Sequence, residues 1–330
     1  HFPDEVQGDL LINNTIGFLG TKQHQMLEAG TGHSSRHRQD LLQSSDPHFR
    51  PVDMEFAPDG SLYLVDWHNR LIGHMQHNAR DPLRDHAHGR IYRVTCPGRP
   101  LVRPAKIAGA AIPTLLDNLK LPEYRTRYRT RRELRGRNAD AVLPALRRWI
   151  ANLDTLDAGY ERYLLEALWV SWGLNQVEEP LLRQLLNAKD YRVRAAAVRV
   201  LRYTGHQVAD QADLLLAGAG DTHGRVRLEA VVAASWLEPA VARSVLERAE
   251  QEAVDEWMKP VYAALRERLY TDTPVVASAG LEASLSPGQQ VYEREGSCIT
   301  CHQPDGKGLT ASGFPPLAGS EWVTGSKERL

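Results

Sequence analysis

Cysteine is scarce in this 330-residue chain: there are three, too few for a disulfide scaffold. Long apolar runs are missing too. No stretch approaches the roughly 18 consecutive apolar residues of a spanning helix, so no membrane-spanning segment is expected. Net charge is the third absence. Forty basic side chains face forty-one acidic ones, which argues against a dedicated nucleic-acid or anionic-membrane binder. The chain opens on His1 and shows no signal-peptide pattern, which reads as a fragment or a processed product. What remains is 42% hydrophobic and 25% charged, a soluble globular balance with length for two or three domains.

Composition divides the chain. Ten of the thirteen histidines fall within residues 1–90, where apolar runs are short and bounded by turn residues. These runs are Leu10-Leu11-Ile12, Met54-Glu55-Phe56, Leu62 to Val65 and Arg90 to Val94; with Pro58-Asp59-Gly60 as a tight turn, the stretch reads as two or three antiparallel strands joined by a hairpin. From about residue 111 the period becomes helical. Tyr160, Tyr163, Leu164, Ala167, Leu168 and Ser171 share one face, as do Val193, Ala196, Ala197, Val200 and Leu201. Two helices are copies. Arg192-Val193-Arg194 recurs 33 residues later as Arg225-Val226-Arg227, each preceded by an aspartate, Asp190 and Asp221. This opening resembles HEAT repeats, which implies an α-solenoid over roughly residues 125–270. An earlier, looser copy is expected at Arg131-Arg132-Glu133-Leu134. Residues 271–285 read as a linker, followed by a short helix from Pro287 to about Glu295 with Ser286 as its N-cap.

The most specific chemistry is Cys298-Ile299-Thr300-Cys301-His302. Two cysteines at this spacing can form thioethers to one haem, and the adjacent histidine can ligate its iron. A zinc site would need a fourth ligand, with Cys96 the only other cysteine, and a thioredoxin-like pair would need a preceding strand. The flanks resemble class I cytochrome c domains: Ser286-Pro287-Gly288 to Tyr292, then Asp305-Gly306-Lys307-Gly308, then Phe314-Pro315-Pro316-Leu317-Ala318-Gly319. By that resemblance the Pro315 or Pro316 carbonyl accepts the haem histidine's Nδ1–H, fixing the ring and strengthening it as a donor. One departure is clear. The four methionines, Met26, Met54, Met75 and Met258, all precede His302, so the usual sixth ligand is missing. With 28 residues after His302, a C-terminally truncated cytochrome domain is expected.

A second cluster lies between two strand-like runs: Asp66, His68, Asn69, His74, His77, Arg80, Asp81 and His88. Such a loop at a sheet edge is a common place for binding residues. Three readings stay open: a loop stapled by internal hydrogen bonds, a metal or cofactor site, or an acid–base histidine. The basic run from Arg125 to Arg137 reads as a solvated helix face, or as salt bridges to Glu247, Glu250, Glu252, Asp255 and Glu256. Met258 reads as a core side chain.

Residues Phe49 to Asp66 with Gly89 to Val94 resemble a β-propeller blade of the glucose/sorbosone dehydrogenase type, which implies a quinone cofactor and calcium. In order, the chain resembles the PVC-type haem-binding CxxCH proteins. That resemblance implies a partial β-propeller (1–110), an all-α HEAT-like solenoid (111–270), a linker (271–285) and the cytochrome c domain (286–330). It also implies an extracytoplasmic location, because haem is attached covalently outside the cytoplasm. The expectation is a haem c electron-transfer module of a periplasmic dehydrogenase. Its site residues are Cys298, Cys301 and His302, and its partners are a sugar or alcohol donor and a redox protein or domain. The alternatives are a binding or scaffold protein with a sensory or vestigial haem, and a helical scaffold with a zinc-loaded Cys-x-x-Cys.

Overall fold

The computed structural model describes residues 1–71, 81–270, 292, 302–308 and 316–320. The linker 271–285, the helix expected over 287–295 apart from Tyr292, and the site residues His74, His77, Arg80, Cys298, Cys301 and Pro315 lie outside the described residues. The chain forms two units. One takes in residues 1–68 with 88–270, and the other the described parts of 69–87 and of 292–320.

The first unit opens with six strands: β1 (Leu10–Asn14), β2 (Gly20–Ala29), β3 (Gly32–Gln43), β4 (Pro51–Phe56), β5 (Leu62–Asp66) and β6 (Arg90–Val94). They form two antiparallel sheets, ordered β1-β2-β3 and β4-β5-β6. Propeller blades are usually four-stranded; each of these sheets has three strands among the described residues. The second sheet follows the sequence pattern. Pro58-Asp59-Gly60 makes the turn with Gly60 at φ +79°, and alternation in β5 buries Leu62 and Leu64 while exposing Tyr63 and Val65. The β2–β3 hairpin adds to the two or three strands expected from the apolar runs. Its β3 strand, Gly-His-Ser-Ser-Arg-His-Arg-Gln-Asp onward, is almost wholly exposed, so neither face carries an apolar stripe to reveal it.

Ten helices follow among the described residues. They are α1 (Ile112–Asn118), α2 (Tyr124–Arg135), α3 (Ala139–Ala151), α4 (Tyr160–Gly173), α5 (Glu179–Leu186), α6 (Tyr191–Thr204), α7 (Gln211–Ala219), α8 (Gly224–Ala234), α9 (Pro239–Glu250) and α10 (Lys259–Tyr270). Helices α2, α4, α6 and α8 pack one on the next as a single layer, and their spacing reproduces the repeat. Thr130, Leu164, Ala197 and Ala230 are fully enclosed equivalents, and Met258 is buried as expected. Helix starts follow local chemistry. The Asp190 carboxylate accepts the Arg192 N–H at 2.8 Å, and prolines stand in the first turns of α1, α5 and α9.

The earlier repeat copy sits at Arg125-Thr126-Arg127, not at Arg131. In each copy the middle residue (Thr126, Val193, Val226) is buried, and the second arginine staples its own loop. Arg127 donates to the carbonyls of Leu121 and Pro122, Arg194 to those of Ala188 and Lys189, and Arg227 to those of Asp221 and Thr222. The spacing is six and five residues back each time. Each first arginine reaches instead to the β region: Arg125 pairs with Glu55 at 2.9 Å, Arg192 with Glu28 at 2.6 Å, and Arg225 donates to the Thr31 carbonyl. The salt bridges expected between the basic run and the acidic stretch 247–256 do not form. Arg125 and Arg129 meet Glu55, Arg127 and Arg131 meet buried Glu166, and Arg137 meets Glu133. Glu250 pairs with Arg266 instead.

The hairpin tip is clasped by the repeats. Thr31 donates its N–H and hydroxyl to the Asp255 carboxylate at 2.6 and 2.8 Å, and Gly30 takes the positive φ that the two-residue turn needs. Burial alone would raise the Asp255 carboxyl, but the Thr31, Met258 and Trp257 donors outweigh it and hold it below its ordinary 3.8. A depressed carboxyl contributes stability that is present above its unfolded value and lost as pH falls through the folded one. Acidification below about pH 4 is therefore expected to release the tip, read as a loss of Thr31 amide protection that is larger in the native protein than in Asp255→Asn. A pH-independent Thr31 exchange protection would contradict this.

Candidate functional site

The sheet register builds a polar cluster at one end of the second sheet. Asp66 closes β5, opposite Pro51 at the start of β4 and Arg90 at the start of β6. The residues just outside those strands, Asp46, His48, Arg50 and His68, therefore gather around it. Asp66 is almost wholly buried, and its Oδ1 accepts the N–H groups of Arg50 and His68, both at 2.7 Å. Its Oδ2 is buried and has no hydrogen-bond partner among the described residues. His68 Nδ1 stands 3.6 Å from that oxygen and Arg90 Nη1 4.0 Å from it, while the two nitrogens approach each other at 2.5 Å.

Above this floor the pattern repeats. The Asp46 Oδ1 accepts both the N–H of His48 and its ring Nδ1, at 2.9 and 3.1 Å. The His48 backbone N–H, then its ring, hold the Asp46 carboxyl below its usual range. The His48 and His68 rings stack with centroids 5.3 Å apart, and Arg90 lies 3.6 Å from Asp46 Oδ2. Arg50 donates to the Thr15 carbonyl, and burial pulls its guanidinium below its ordinary value against the pull of Asp66 and Asp46. His68 holds φ +52°, a left-handed conformation that costs a non-glycine residue on the order of 1 kcal/mol and clusters at functional positions.

Of the residues expected in the 66–88 site, the structure brings Asp66 and His68 together. Asn69 instead staples its loop: it donates to the Asp85 carbonyl at 3.2 Å, and its side-chain oxygen accepts the Leu71 N–H. Asp81 caps a turn by accepting the Leu83 N–H at 2.9 Å, and His88 is exposed. The sequence reading missed Asp46, His48, Arg50 and Arg90. A signal was present, because Asp46-x-His48 and Asp66-x-His68 flank the β4–β5 hairpin as a repeated Asp-x-His. Among the described residues, no three His, Cys, Asp or Glu side chains converge as a metal site.

At the other motif, His302 is half-buried and its carbonyl accepts the Gly308 N–H at 2.9 Å. Gly306, at φ +68°, accepts the N–H groups of Leu317 and Ala318 at 2.7 and 2.9 Å, and a Cβ there would meet Ala318 at 3.3 Å. The Tyr292 hydroxyl donates to the Gln303 carbonyl at 2.6 Å. The loop after His302 is thus tied to residues 317 and 318, directly after Pro316.

No helix among the described residues is long and apolar enough to cross a membrane. Residues 1–97 match the family described as Domain of unknown function (DUF7133), and residues 178–284 match HEAT repeats. Neither match is to a propeller or a cytochrome c family, and no solved structure matches the chain. The Arg-x-Arg staple extends the repeat geometry upstream of the matched segment, to Arg127. The chain carries a DUF7133 domain followed by HEAT repeats.

Proposed function

We propose that the chain is a c-type haem-binding electron-transfer protein, the acceptor end of an extracytoplasmic dehydrogenase whose donor site lies in the β region. The observation that carries the reading is Cys298-Ile299-Thr300-Cys301-His302. Its donor set suits haem: two thiols for covalent attachment and one imidazole for the iron, with the Pro315 or Pro316 carbonyl to orient that imidazole. When bound, haem c supplies a one-electron redox centre. The chain's part is to hold His302 on a backbone pinned through Gly306 and Gly308. The partial-propeller reading of residues 1–110 is supported by the β4–β5–β6 meander, which is apolar on both faces: Leu62 and Leu64 buried, Tyr63, Val65 and Ile91 exposed.

Calcium does not fit the β-region cluster. A hard cation takes six to eight oxygens, whereas Asp66 Oδ2 stands beside the His68 imidazole and the Arg90 guanidinium.

A binding or scaffold role is the second reading, favoured by the three first-position arginines, Arg125, Arg192 and Arg225, that join the β region to the repeats. The two readings part in one experiment: anaerobic mixing of the haem-loaded protein with candidate sugars and alcohols. Reduction of the haem by a donor is expected. A haem that dithionite reduces but no donor does would favour the scaffold.

A further inference from the structure

We infer that the imidazoles of His24 and His37, facing each other across β2 and β3, form a surface site for one divalent transition-metal ion, with Asp40 holding the His37 ring from behind. The site belongs to the first sheet and does not depend on the haem reading.

Register and a bulge build it. His24 and His37 are directly opposite in the β2–β3 ladder, so their side chains leave the same face. In an unbroken strand Asp40, three residues past His37, would emerge from the other face. The register shifts between Gln23 and His24, with Arg38 as the extra residue of β3, and this returns Asp40 to the face of His37. Arg38 itself pairs with Asp9 at 2.6 Å, so its charge is engaged elsewhere.

Ring chemistry then sets the donors. Asp40 Oδ1 accepts from His37 Nε2 at 2.9 Å, so the ring proton sits there and Nδ1 presents a lone pair. A carboxylate behind an imidazole fixes its tautomer and strengthens it as a metal ligand. Asp40 is the positioning residue in this pair. The Lys22 ammonium shares its Oδ1 at 3.5 Å, and the His37 bond, then Lys22, hold the Asp40 carboxyl below its ordinary value. On the other strand the Ser35 hydroxyl stands 3.4 Å from His24 Nδ1. With that oxygen as acceptor, His24 Nε2 carries the second lone pair.

The spacing suits one shared ion. The two ring centroids are 5.3 Å apart. Two imidazoles bound to a tetrahedral ion through nitrogens about 2.0–2.1 Å from it hold their ring centres roughly 5 Å apart. The His37 side chain is 47% exposed, so an ion can enter from solvent and water can complete its coordination. No third His, Cys, Asp or Glu joins the pair among the described residues, which makes the ion exchangeable rather than permanent. Imidazole nitrogens favour zinc, copper or nickel over calcium or magnesium. The bound ion would cross-link a hairpin whose β3 strand is almost wholly exposed.

The test titrates the full chain, labelled with 15N at histidine, with zinc sulfate. His24 Nε2 and His37 Nδ1 are expected to shift saturably with one common midpoint. A shared ion makes the rings interdependent, so His24→Ala is expected to abolish the His37 response, and His37→Ala that of His24. Asp40→Ala leaves both imidazoles in place and is expected to weaken zinc about tenfold. At about ten times the midpoint concentration, amide exchange through opening of the β2–β3 hairpin is expected to slow about tenfold, because the ion binds only the paired strands. Copper(II) is expected to displace zinc, and calcium is not. A ring that still responds when the other is removed would show two independent imidazoles and overturn the inference. So would the absence of a saturable shift, or unchanged affinity in Asp40→Ala. Zinc held at Cys298 and Cys301 is scored apart, because it leaves the His24 and His37 resonances in place.

Discussion

Replacing Glu166 by alanine is expected to destabilise the helical region by about 3–5 kcal/mol. Glu166 is 1% exposed in the middle of α4, and its two oxygens accept from Arg127 and Arg131 of α2. Arg127 also donates to the Leu121 and Pro122 carbonyls, and Arg131 lies 5.0 Å from the Trp169 ring. Neither arginine can leave easily, because each is held by a second contact. Removing the carboxylate therefore strands two cations with side chains only 13% and 16% exposed. Removing the whole triad has a different expected result. Glu166→Leu with Arg127→Met and Arg131→Met takes away the charges together and should recover part of the loss, since desolvation then no longer opposes folding while the Arg127 bonds to the Leu121 and Pro122 carbonyls are gone. Urea unfolding of the three proteins gives the comparison. A single alanine variant within about 0.5 kcal/mol of native would show the network to be solvated and energetically idle.

The largest functional effect is expected from Cys298→Ser with Cys301→Ser. Serine is nearly the size of cysteine, so packing changes little, but an alcohol does not form the thioether. Covalent haem should fall to nothing after export with a cytochrome c maturation system, while helix content by circular dichroism stays unchanged. Each single serine leaves one thiol, so partial attachment is the expected intermediate result. His302→Ala should keep covalent attachment and alter the haem spectrum, because it removes an iron ligand and leaves both thiols. Equal haem content in the double serine variant and the native chain would contradict this.

The repeats were legible because two signals agreed. An apolar face at helical spacing marked α4, α6 and α8, and Arg-Val-Arg recurred at an interval of 33 residues. The copy at Arg125 is hidden in the sequence, because Thr126 stands where the other copies have valine. Only the carbonyl staple from Arg127 shows the equivalence. The β region was half legible. Strands β4, β5 and β6 carry apolar alternation, whereas β2 and β3 are held by main-chain pairing and by polar cross-strand contacts such as Arg36 to Gln25 at 2.9 Å. A hydrophobic pattern cannot report a sheet with so little apolar surface to bury.

The polar cluster was legible in only two of its members. Asp66 and His68 stood out among the histidines of the loop that follows them. Asp46, His48 and Arg50 lie 16 or more residues earlier, and only the register of β4 on β5 brings them to the same place. Pairing between strands is a long-range property, and local composition does not encode it. The same limit explains Asn69 and Asp81, whose side chains serve their own turns.

Covalent haem is tested most directly by a pyridine haemochrome spectrum of the chain exported with a cytochrome c maturation system, taken after denaturation and acid-acetone extraction. A haem c signature that stays with the polypeptide, at one haem per chain, is the expected result. Haem that extracts freely, or a protein with no haem band that holds zinc at Cys298 and Cys301, would contradict it.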